Sequence, residues 1–489
     1  MSLKNHVGLK PGNLSSVCLL FLVLASTADA ADPALVGQWS AVTTWSTLNP
    51  GWVPTHVILL PTGKVLYIPS YADGTKPRIW TPSTGAVITA ALPGYNLFCS
   101  GHSLLASGKV LVTGGHVADF VGYAHSTLYD PFTNTWSRKG EMNAGRWYPT
   151  NTTLPNGDVL VVSGTKSGSS DYNNLPQVYQ TATGTLRSLS NAVLRLPLYP
   201  FMFTAPNGKV FAAGWNPDTR YLDTAGTGSW SFVANSKYGW RNYGSAVMYR
   251  PGKILLVGGG GSDAGGIGPT KTAEVIDLNS ASPVWTYVAS MVYSRRQHNA
   301  THLPDGTVLV TGGSAGAGFD NWHAPVYAAE IWDPGSNSWR VMANAAKYRG
   351  YHSFALLLPD GRVLTGGGQV NASGQANGAN IQIFYPPYLF KGARPSISSG
   401  PTVVGYGQTA FLGTPNSTSI AAVSWIRLGA VTHSYDQNQR FIPLTFTRVS
   451  GGLNVVFPAS SGQSPPGHYL LFILNFSGVP SVAKIVRIG

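Results

Sequence analysis

The chain has 489 residues, of which 10% are charged, and it contains 58 glycines, 34 prolines, 14 tryptophans and 23 tyrosines. This composition argues against a coiled coil and against disorder, and it is typical of many short strands joined by tight turns. The net charge is +13, yet lysine and arginine are scattered singly, so nucleic acid is a poor partner. Two interpretations of the charge stay open: attraction to an anionic polysaccharide or the cell envelope, and a basic surface with no specific partner.

Residues 1–30 predict a secretory signal peptide. Lys4 and Lys10 form a basic start, residues 17–25 are an apolar run, and an Ala-Asp-Ala cleavage sequence ends at residue 30. An apolar run of this length is too short to span a bilayer. No later run is long and apolar enough, so we expect a secreted or envelope-associated protein without a membrane span.

The chain has two cysteines, and Cys18 would leave with the signal peptide, so Cys99 is alone in the mature protein. Extracellular proteins usually pair their thiols. A single remaining thiol indicates a special bond or a reactive group, or else a buried bystander.

A hairpin phrase of the form LPDGTVLVTGG occurs seven times, with a mean spacing of about 50 residues, which is the kelch period. Each copy predicts a tight turn followed by a buried strand. The turn glycines of the copies are Gly63, Gly108, Gly157, Gly208, Gly252, Gly306 and Gly361. Seven four-stranded blades predict an all-β, closed kelch-type β-propeller over residues 31–392.

The last part of the chain, residues 393–489, contains no copy of the phrase. It follows a boundary sequence rich in proline and glycine near residue 392, and it shows alternating strands at 421–427, 453–457 and 469–475. An immunoglobulin-like β-sandwich is the natural interpretation.

A second set of equivalent positions lies nine residues before the turn glycines. In a propeller, the residue that leads into each innermost strand faces the central axis, so these positions form a ring. The ring positions of blades two to seven are Cys99, Tyr148, Tyr199, Tyr243, Gln297 and His352, and Tyr351 adjoins the last one. Aromatic residues often merely plug such a channel, and this alternative stays open for Tyr199 and Tyr243.

Imidazole and phenolate are good ligands for Cu(II) in a tetragonal site. Oxidation of an alcohol or aldehyde removes two electrons, whereas copper cycles by one. A tyrosine that can be oxidised to a radical supplies the other electron acceptor, and a thioether on its ring makes that oxidation easier.

Three phrases resemble copper-radical oxidases of the galactose oxidase type: FCSGHSLLASGKVLVTGG around Cys99, YHSFALLLPDGRVLTGGG from Tyr351 and THSYDQNQRFIPLTFT around His433. GRWYPTNTTLPNG around Tyr148 and LPLYPF around Tyr199 resemble the glyoxal oxidase branch of that family. The resemblance covers about residues 35–489.

The resemblance implies one copper ion per chain, held by Tyr148, Tyr351, His352 and His433. It implies that Tyr148 is the radical ligand and is bonded through its ring to Cys99. Tyr351 would be the axial ligand and the base that accepts the substrate hydroxyl proton. His433 would reach the channel on a hairpin of the C-terminal domain.

Two departures from the galactose oxidase pattern bear on the substrate. Lys166 stands where those enzymes have a tryptophan that shields the radical, so either another aromatic residue covers the site or the radical is more exposed. The candidates for cover are Trp240, Trp215 and Trp322. Ser314 stands at the position of a galactose-binding glutamine.

Four residues are candidate substrate contacts: Arg195, Lys166, Tyr199 and Tyr243. Arg195 falls where galactose oxidases keep a substrate-binding arginine, although an ordinary surface arginine is the alternative. His102 and His298 lie near the axis, where they contact the site or the substrate or serve core packing and hydrogen bonding.

The hypothesis is therefore a monomeric oxidase that converts a small alcohol, aldehyde or carbohydrate and O2 into the aldehyde or acid and H2O2. A non-catalytic kelch propeller that binds glycan or protein is the alternative. A propeller glycosidase needs paired axial carboxylates, which the ring positions lack.

Overall fold

The computed structural model describes residues 31–45, 53–261, 268–368 and 378–489, so the predicted signal peptide lies outside the described residues. The regular structure of these ranges is almost entirely β. One short helix, Pro33–Val36, and two 3-10 turns, Pro387–Phe390 and Ser417–Ser419, accompany the strands. No helix in the described ranges is long and apolar enough to cross a membrane.

Seven antiparallel sheets, here named blades 1 to 7, contain the seven predicted hairpins in chain order. From the inside outward, the strands of blade 1 are Pro54–Leu59, Val65–Pro69, Arg78–Trp80 and Val87–Thr89. The strands of blade 2, in the same order, are Ser100–Leu104, Val110–Gly114, Ser126–Asp130 and Thr135–Arg138. The strands of blade 3 are Thr150–Thr153, Val159–Val162, Gln177–Gln180 and Thr185–Ser188. The strands of blade 4 are Phe201–Thr204, Val210–Gly214, Asp218–Asp223 and Ser229–Asn235. A separate two-strand ribbon joins His116–Ala118 to Val121–Gly122.

Blades 5 to 7 continue the same pattern. Blade 5 consists of Ser245–Arg250, Lys253–Val257, Ala273–Asp277 and Thr286–Val288. Blade 6 consists of Arg296–His302, Val308–Ser314, Ala328–Asp333 and Ser338–Asn344. Blade 7 consists of Ser353–Leu357, Val363–Gly367 and Asn380–Tyr385, and its outer edge is completed by Gln38–Trp39 and Thr43–Thr44. The start of the described chain therefore closes the last blade.

The turn glycines and the strand pattern bear out the predicted all-β class. All seven turn glycines have φ between 73° and 87°, a left-handed conformation that glycine adopts without a steric penalty. The two inner strands of the blades are almost continuously buried, whereas the outermost strands are largely exposed. Seven such sheets fit the predicted blade number.

The C-terminal sandwich has two sheets. The strands of the five-stranded sheet are, in spatial order, Val403–Val404, Lys484–Ile488, Gly467–Asn475, Ile420–Arg427 and Phe441–Leu444. Those of the three-stranded sheet are Thr409–Gly413, Gly452–Val456 and Phe446–Val449. Trp425 lies in its core and stacks on Tyr469 with ring centroids 4.7 Å apart.

One hairpin of this sandwich, here named the channel hairpin (residues 428–441), enters the propeller. Its strands Ala430–Thr432 and Tyr435–Asp436 extend blade 1, with Val431 paired to Val57. Every residue of the hairpin is buried. The side-chain oxygen of Gln437 accepts hydrogen bonds from backbone N–H groups of blade 2 and blade 3, at 3.2 and 3.0 Å. The hairpin thus lies among the inner strands and brings the sandwich into the channel.

Candidate active site

The six ring positions share an unusual backbone conformation. Cys99, Tyr148, Tyr199, Tyr243, Gln297 and His352 all have φ between 45° and 68°. Left-handed backbone costs a non-glycine residue about 1–3 kcal/mol and persists only where the surroundings hold it. Backbone hydrogen bonds from one blade to the next supply part of that hold: Tyr148 N–H to Cys99 O (2.9 Å), Tyr199 N–H to Tyr148 O (3.0 Å) and Gln297 N–H to Tyr243 O (2.7 Å).

The four side chains predicted to hold copper meet at one end of the channel. Tyr148 Oη lies 2.5 Å from Tyr351 Oη and 3.2 Å from His352 Nε2. The His433 ring lies 4.4 Å from the Tyr148 ring and 4.5 Å from the His352 ring, measured between centroids. Residues that precede blade 3 and blade 7 and a residue of the channel hairpin are therefore close together, as the resemblance implies.

His433 is held with one nitrogen free to bind. It lies at the tip of the channel hairpin with φ 48°, and its Nδ1 forms a 2.6 Å hydrogen bond with Thr432 Oγ1. Its Nε2 is buried without a hydrogen-bond partner among the described residues. A buried polar atom without a partner is costly, so this nitrogen indicates a ligand.

The electrostatics of the site also favour a cation. Burial raises the pKa of Tyr148 and Tyr351 well above its ordinary value, and burial lowers the pKa of His352 to about 3. A cation among these groups would stabilise phenolate and neutral imidazole, which are the forms that ligate a metal. Within the described ranges no three His, Cys, Asp or Glu side chains form a metal cluster, so this donor set depends on its tyrosines and fits Cu(II).

Cys99 lies directly beside Tyr148. It is fully buried and free, and it packs in one cluster with Phe98, Trp147, Tyr148 and Tyr199. Burial raises the pKa of its thiol, and a hydrogen bond with the Tyr148 side chain opposes that shift. The thiol and the Tyr148 side chain are thus neighbours in the buried site.

Trp147 covers the Tyr148 ring, which corrects the sequence-based choice among Trp240, Trp215 and Trp322. Its ring lies parallel to that of Tyr148, with centroids 3.5 Å and planes 5° apart. Trp147 precedes Tyr148 in the chain, so direct adjacency to a ring residue is the signal that was overlooked. Trp215 lines the cavity and packs against Trp240, and Trp322 packs against His323.

A cavity of about 480 Å³ opens above Tyr148, Tyr351, His352 and His433. Twelve of its seventeen lining residues are phenylalanine, tyrosine or tryptophan. Asp119 is the one charged side chain among the lining residues that the structure describes. The cavity is therefore strongly apolar with a few phenols and imidazoles at its base.

The predicted substrate contacts divide into two pairs. Tyr199 and Tyr243 line the cavity, whereas Arg195 and Lys166 do not. Lys166 forms an ion pair with Asp171 at 2.7 Å, and the Arg195 guanidinium lies over the Tyr172 ring at 4.3 Å. Neither cation is therefore among the residues that line the cavity.

Tyr199 is held in place by contacts within the site. Its hydroxyl donates a hydrogen bond to Ser100 O at 2.8 Å, and its ring stacks on Tyr148 with centroids 4.6 Å apart. The Tyr243 ring meets the Tyr351 ring edge-on at 5.5 Å. Ser314 is bound within its own loop by a hydrogen bond to Ala324 O and is not on the wall.

His102 and His298, the two histidines predicted near the propeller axis, are both fully buried. His298 lies in the inner strand of blade 6 and does not line the cavity. His102 forms a 3.2 Å hydrogen bond with His56. The sequence analysis missed His56, whose signal is a single ionisable residue in the inner strand of blade 1.

The glyoxal oxidase N-terminus model matches residues 90–388, and the galactose oxidase-like early set domain model matches residues 394–488. A galactose oxidase of Gibberella zeae is 33% identical over 97% of this chain and 74% of its own length. An aldehyde oxidase GLOX of Vitis pseudoreticulata is 29% identical over 80% of this chain and 82% of its own. A fungal alcohol oxidase solved in complex with copper has a TM-score of 0.83 at 28% identity, covering 93% of this chain and 99% of that one.

The propeller, the early set domain and the oxidase relatives together define the class, which is that of the copper-radical oxidases. These enzymes use copper together with a Cys–Tyr radical cofactor. Within that class, the chain belongs to the glyoxal oxidase family, whose model covers more than half of its length.

Proposed function

We propose that this oxidase acts on primary alcohols or hydrated aldehydes of apolar character, with one copper held by Tyr148, Tyr351, His352 and His433. The thioether would join Cys99 to Tyr148. The observation that carries the proposal is the meeting of two phenols and two imidazoles at the base of an aromatic cavity.

When the site is loaded, copper and the cross-linked Tyr148 supply the two one-electron acceptors that a two-electron oxidation requires. The residues of the chain position the substrate and move its proton. Tyr351 lines the cavity, so its phenolate can accept the substrate hydroxyl proton. Trp147 shields one face of Tyr148 from water.

The cavity wall supports apolar substrates over sugars. A sugar bound through several hydroxyls needs several placed hydrogen-bond partners, and each one missing costs about 1–3 kcal/mol. Lysine and arginine are absent from the described wall, and Arg195 and Lys166 are engaged elsewhere. Aromatic rings instead offer area for an alkyl or aryl group.

A substrate panel with a peroxide readout tests this proposal. We expect kcat/KM for benzyl alcohol, 1-butanol and methylglyoxal to exceed that for galactose by roughly 5- to 150-fold for each hydrogen bond that the sugar lacks. The matched control is Cys99→Ser, which retains the cavity and should produce little peroxide with any substrate. High activity on galactose with none on the other three compounds would contradict the substrate class. No copper-dependent peroxide with any compound would contradict the catalytic assignment.

We further propose that the mature protein is a secreted or envelope-associated monomer, divided into a propeller at 31–392 and a sandwich at 393–489. The predicted signal at residues 1–30 and the charge of +13 support an exported protein near anionic polysaccharide. N-terminal sequencing of the secreted protein checks the cleavage site, and a first residue far from Ala31 would contradict it.

A further inference from the structure

We propose that His56 is a positioning residue for cofactor formation, because its imidazole holds the backbone of Cys99 in the conformation that aims the thiol at Tyr148. This inference rests on the proposed function, since it concerns the Cys99–Tyr148 bond.

Cys99 differs from three other ring residues in the partner of its backbone N–H. Tyr148, Tyr199 and Gln297 each donate their backbone N–H to the carbonyl of the preceding ring residue. The Cys99 N–H instead donates to His56 Nε2, at 3.0 Å. A histidine side chain thus takes the place of a carbonyl at the seam between blades 1 and 2.

The local backbone of blade 1 explains how His56 reaches the seam. The ring position of this blade is Pro54, and the pairing of its inner strand shifts register between Pro54 and His56. Such a bulge redirects the following side chain, and bulges are common beside active sites. His56 is fully buried, so its hydrogen bond is protected from water.

The hydrogen bonds also define the protonation of both rings. His56 Nε2 accepts from an N–H group, so it carries no proton, and Nδ1 of a neutral ring must then be the donor. His56 Nδ1 lies 3.2 Å from His102 Nε2, which accepts its hydrogen bond. His102 therefore orients His56, and His56 orients Cys99.

Cys99 needs this support because its backbone is strained. Its φ of 63° is left-handed, and its carbonyl accepts the Tyr148 N–H at 2.9 Å. The residue is thus held on one side by Tyr148 and on the other by His56. Without the imidazole acceptor, the buried N–H would favour another conformation, and the thiol would meet the Tyr148 ring less often.

The bond formation balances with O2 as the oxidant. The Cys99 S–H bond and one ring C–H bond of Tyr148 break, a C–S bond forms, and the two hydrogens with two electrons reduce O2 to H2O2. Copper held at the site would promote the step, and the proposed function already uses O2 as the electron acceptor. The product protein is lighter by two hydrogens.

The test follows this mass change after copper and O2 are added to reduced, copper-free protein. His56→Met removes the acceptor, whereas His56→Gln keeps one in its amide oxygen. We expect the cross-linking rate to fall about 10-fold in His56→Met and to stay within about 2-fold of wild type in His56→Gln. His302→Met is the matched control, because His302 is equally buried at the end of an inner strand and does not contact Cys99; it should cross-link at the wild-type rate.

Three results would overturn the inference: a wild-type rate in His56→Met, equal slowing in His302→Met, or no difference between His56→Gln and His56→Met. If His56→Met does not fold, His102→Leu decides, because it removes the partner that orients His56. Slower cross-linking in that variant supports the role, and an unchanged rate refutes it. A wild-type protein that never loses two hydrogens contradicts the proposed function instead.

Discussion

The short contact between Tyr148 and Tyr351 brings two phenol hydroxyls together in a buried site. Their oxygens are 2.5 Å apart, and burial raises the pKa of both phenols. Neither phenolate is stable there without a nearby positive charge. Proton acceptance by Tyr351 therefore depends on the cation that the four side chains are proposed to hold.

Tyr351→Phe should separate metal binding from proton transfer. Tyr148, His352 and His433 remain, so copper content should stay near wild type. Turnover should fall about 10²–10⁴-fold, because no phenolate is left to accept the substrate proton. Tyr327→Phe is the control, since Tyr327 is exposed and lies outside the cavity; it should keep wild-type turnover. Full activity in Tyr351→Phe, measured as peroxide per copper, would refute the role of Tyr351.

At the scale of the element, hydrogen bonds to one side chain, Asp436, hold the turn of the channel hairpin. Asp436 Oδ1 accepts hydrogen bonds from the backbone N–H groups of Ala430, Asn438 and Gln439 at 2.9 to 3.0 Å. Tyr435 donates its hydroxyl to Met202 O in blade 4. The conformation that presents His433 is therefore set by its neighbours rather than by His433 itself.

His433→Ala should consequently lose copper affinity without unfolding the hairpin. Copper content after dialysis should fall strongly, while the circular dichroism spectrum and the unfolding temperature of the copper-free protein stay close to wild type. His323→Ala, at an exposed histidine, is the control and should keep its copper. Full copper occupancy in His433→Ala would show that this imidazole is not a ligand.

At the scale of the whole molecule, closure of the ring depends on residues before blade 1. Gln38–Trp39 pairs with the outer strand of blade 7, and Trp45 is buried against Tyr67 and Trp80 of blade 1. Trp45 also lies 6.1 Å from Phe354 of blade 7. One aromatic cluster thus joins the first and last blades.

Trp45→Ala should lower the free energy of unfolding by about 3–5 kcal/mol, because a large buried side chain is removed and a cavity remains. Denaturant unfolding of the copper-free protein measures this change. Trp240 is 50% exposed, so Trp240→Ala should alter stability little. Equal stability of the two variants would argue against the role of Trp45 in closing the ring.

Periodicity in the sequence by itself determined the blades, the turn glycines and the ring from Cys99 to His352. A repeated hairpin places equivalent residues at equivalent points of a closed propeller, so a constant offset of nine residues was sufficient. His433 was assigned only by resemblance, because no repeat relates the sandwich to the blades.

Only the tertiary structure decided which tryptophan covers Tyr148, how His56 reaches Cys99, and that Lys166 and Arg195 do not line the cavity. These contacts depend on a bulge, on inter-blade loops and on pairing with Asp171 or Tyr172. None of these features recurs from blade to blade. A repeat pattern determines where the strands lie, whereas side-chain packing between non-repeating segments determines what surrounds the site.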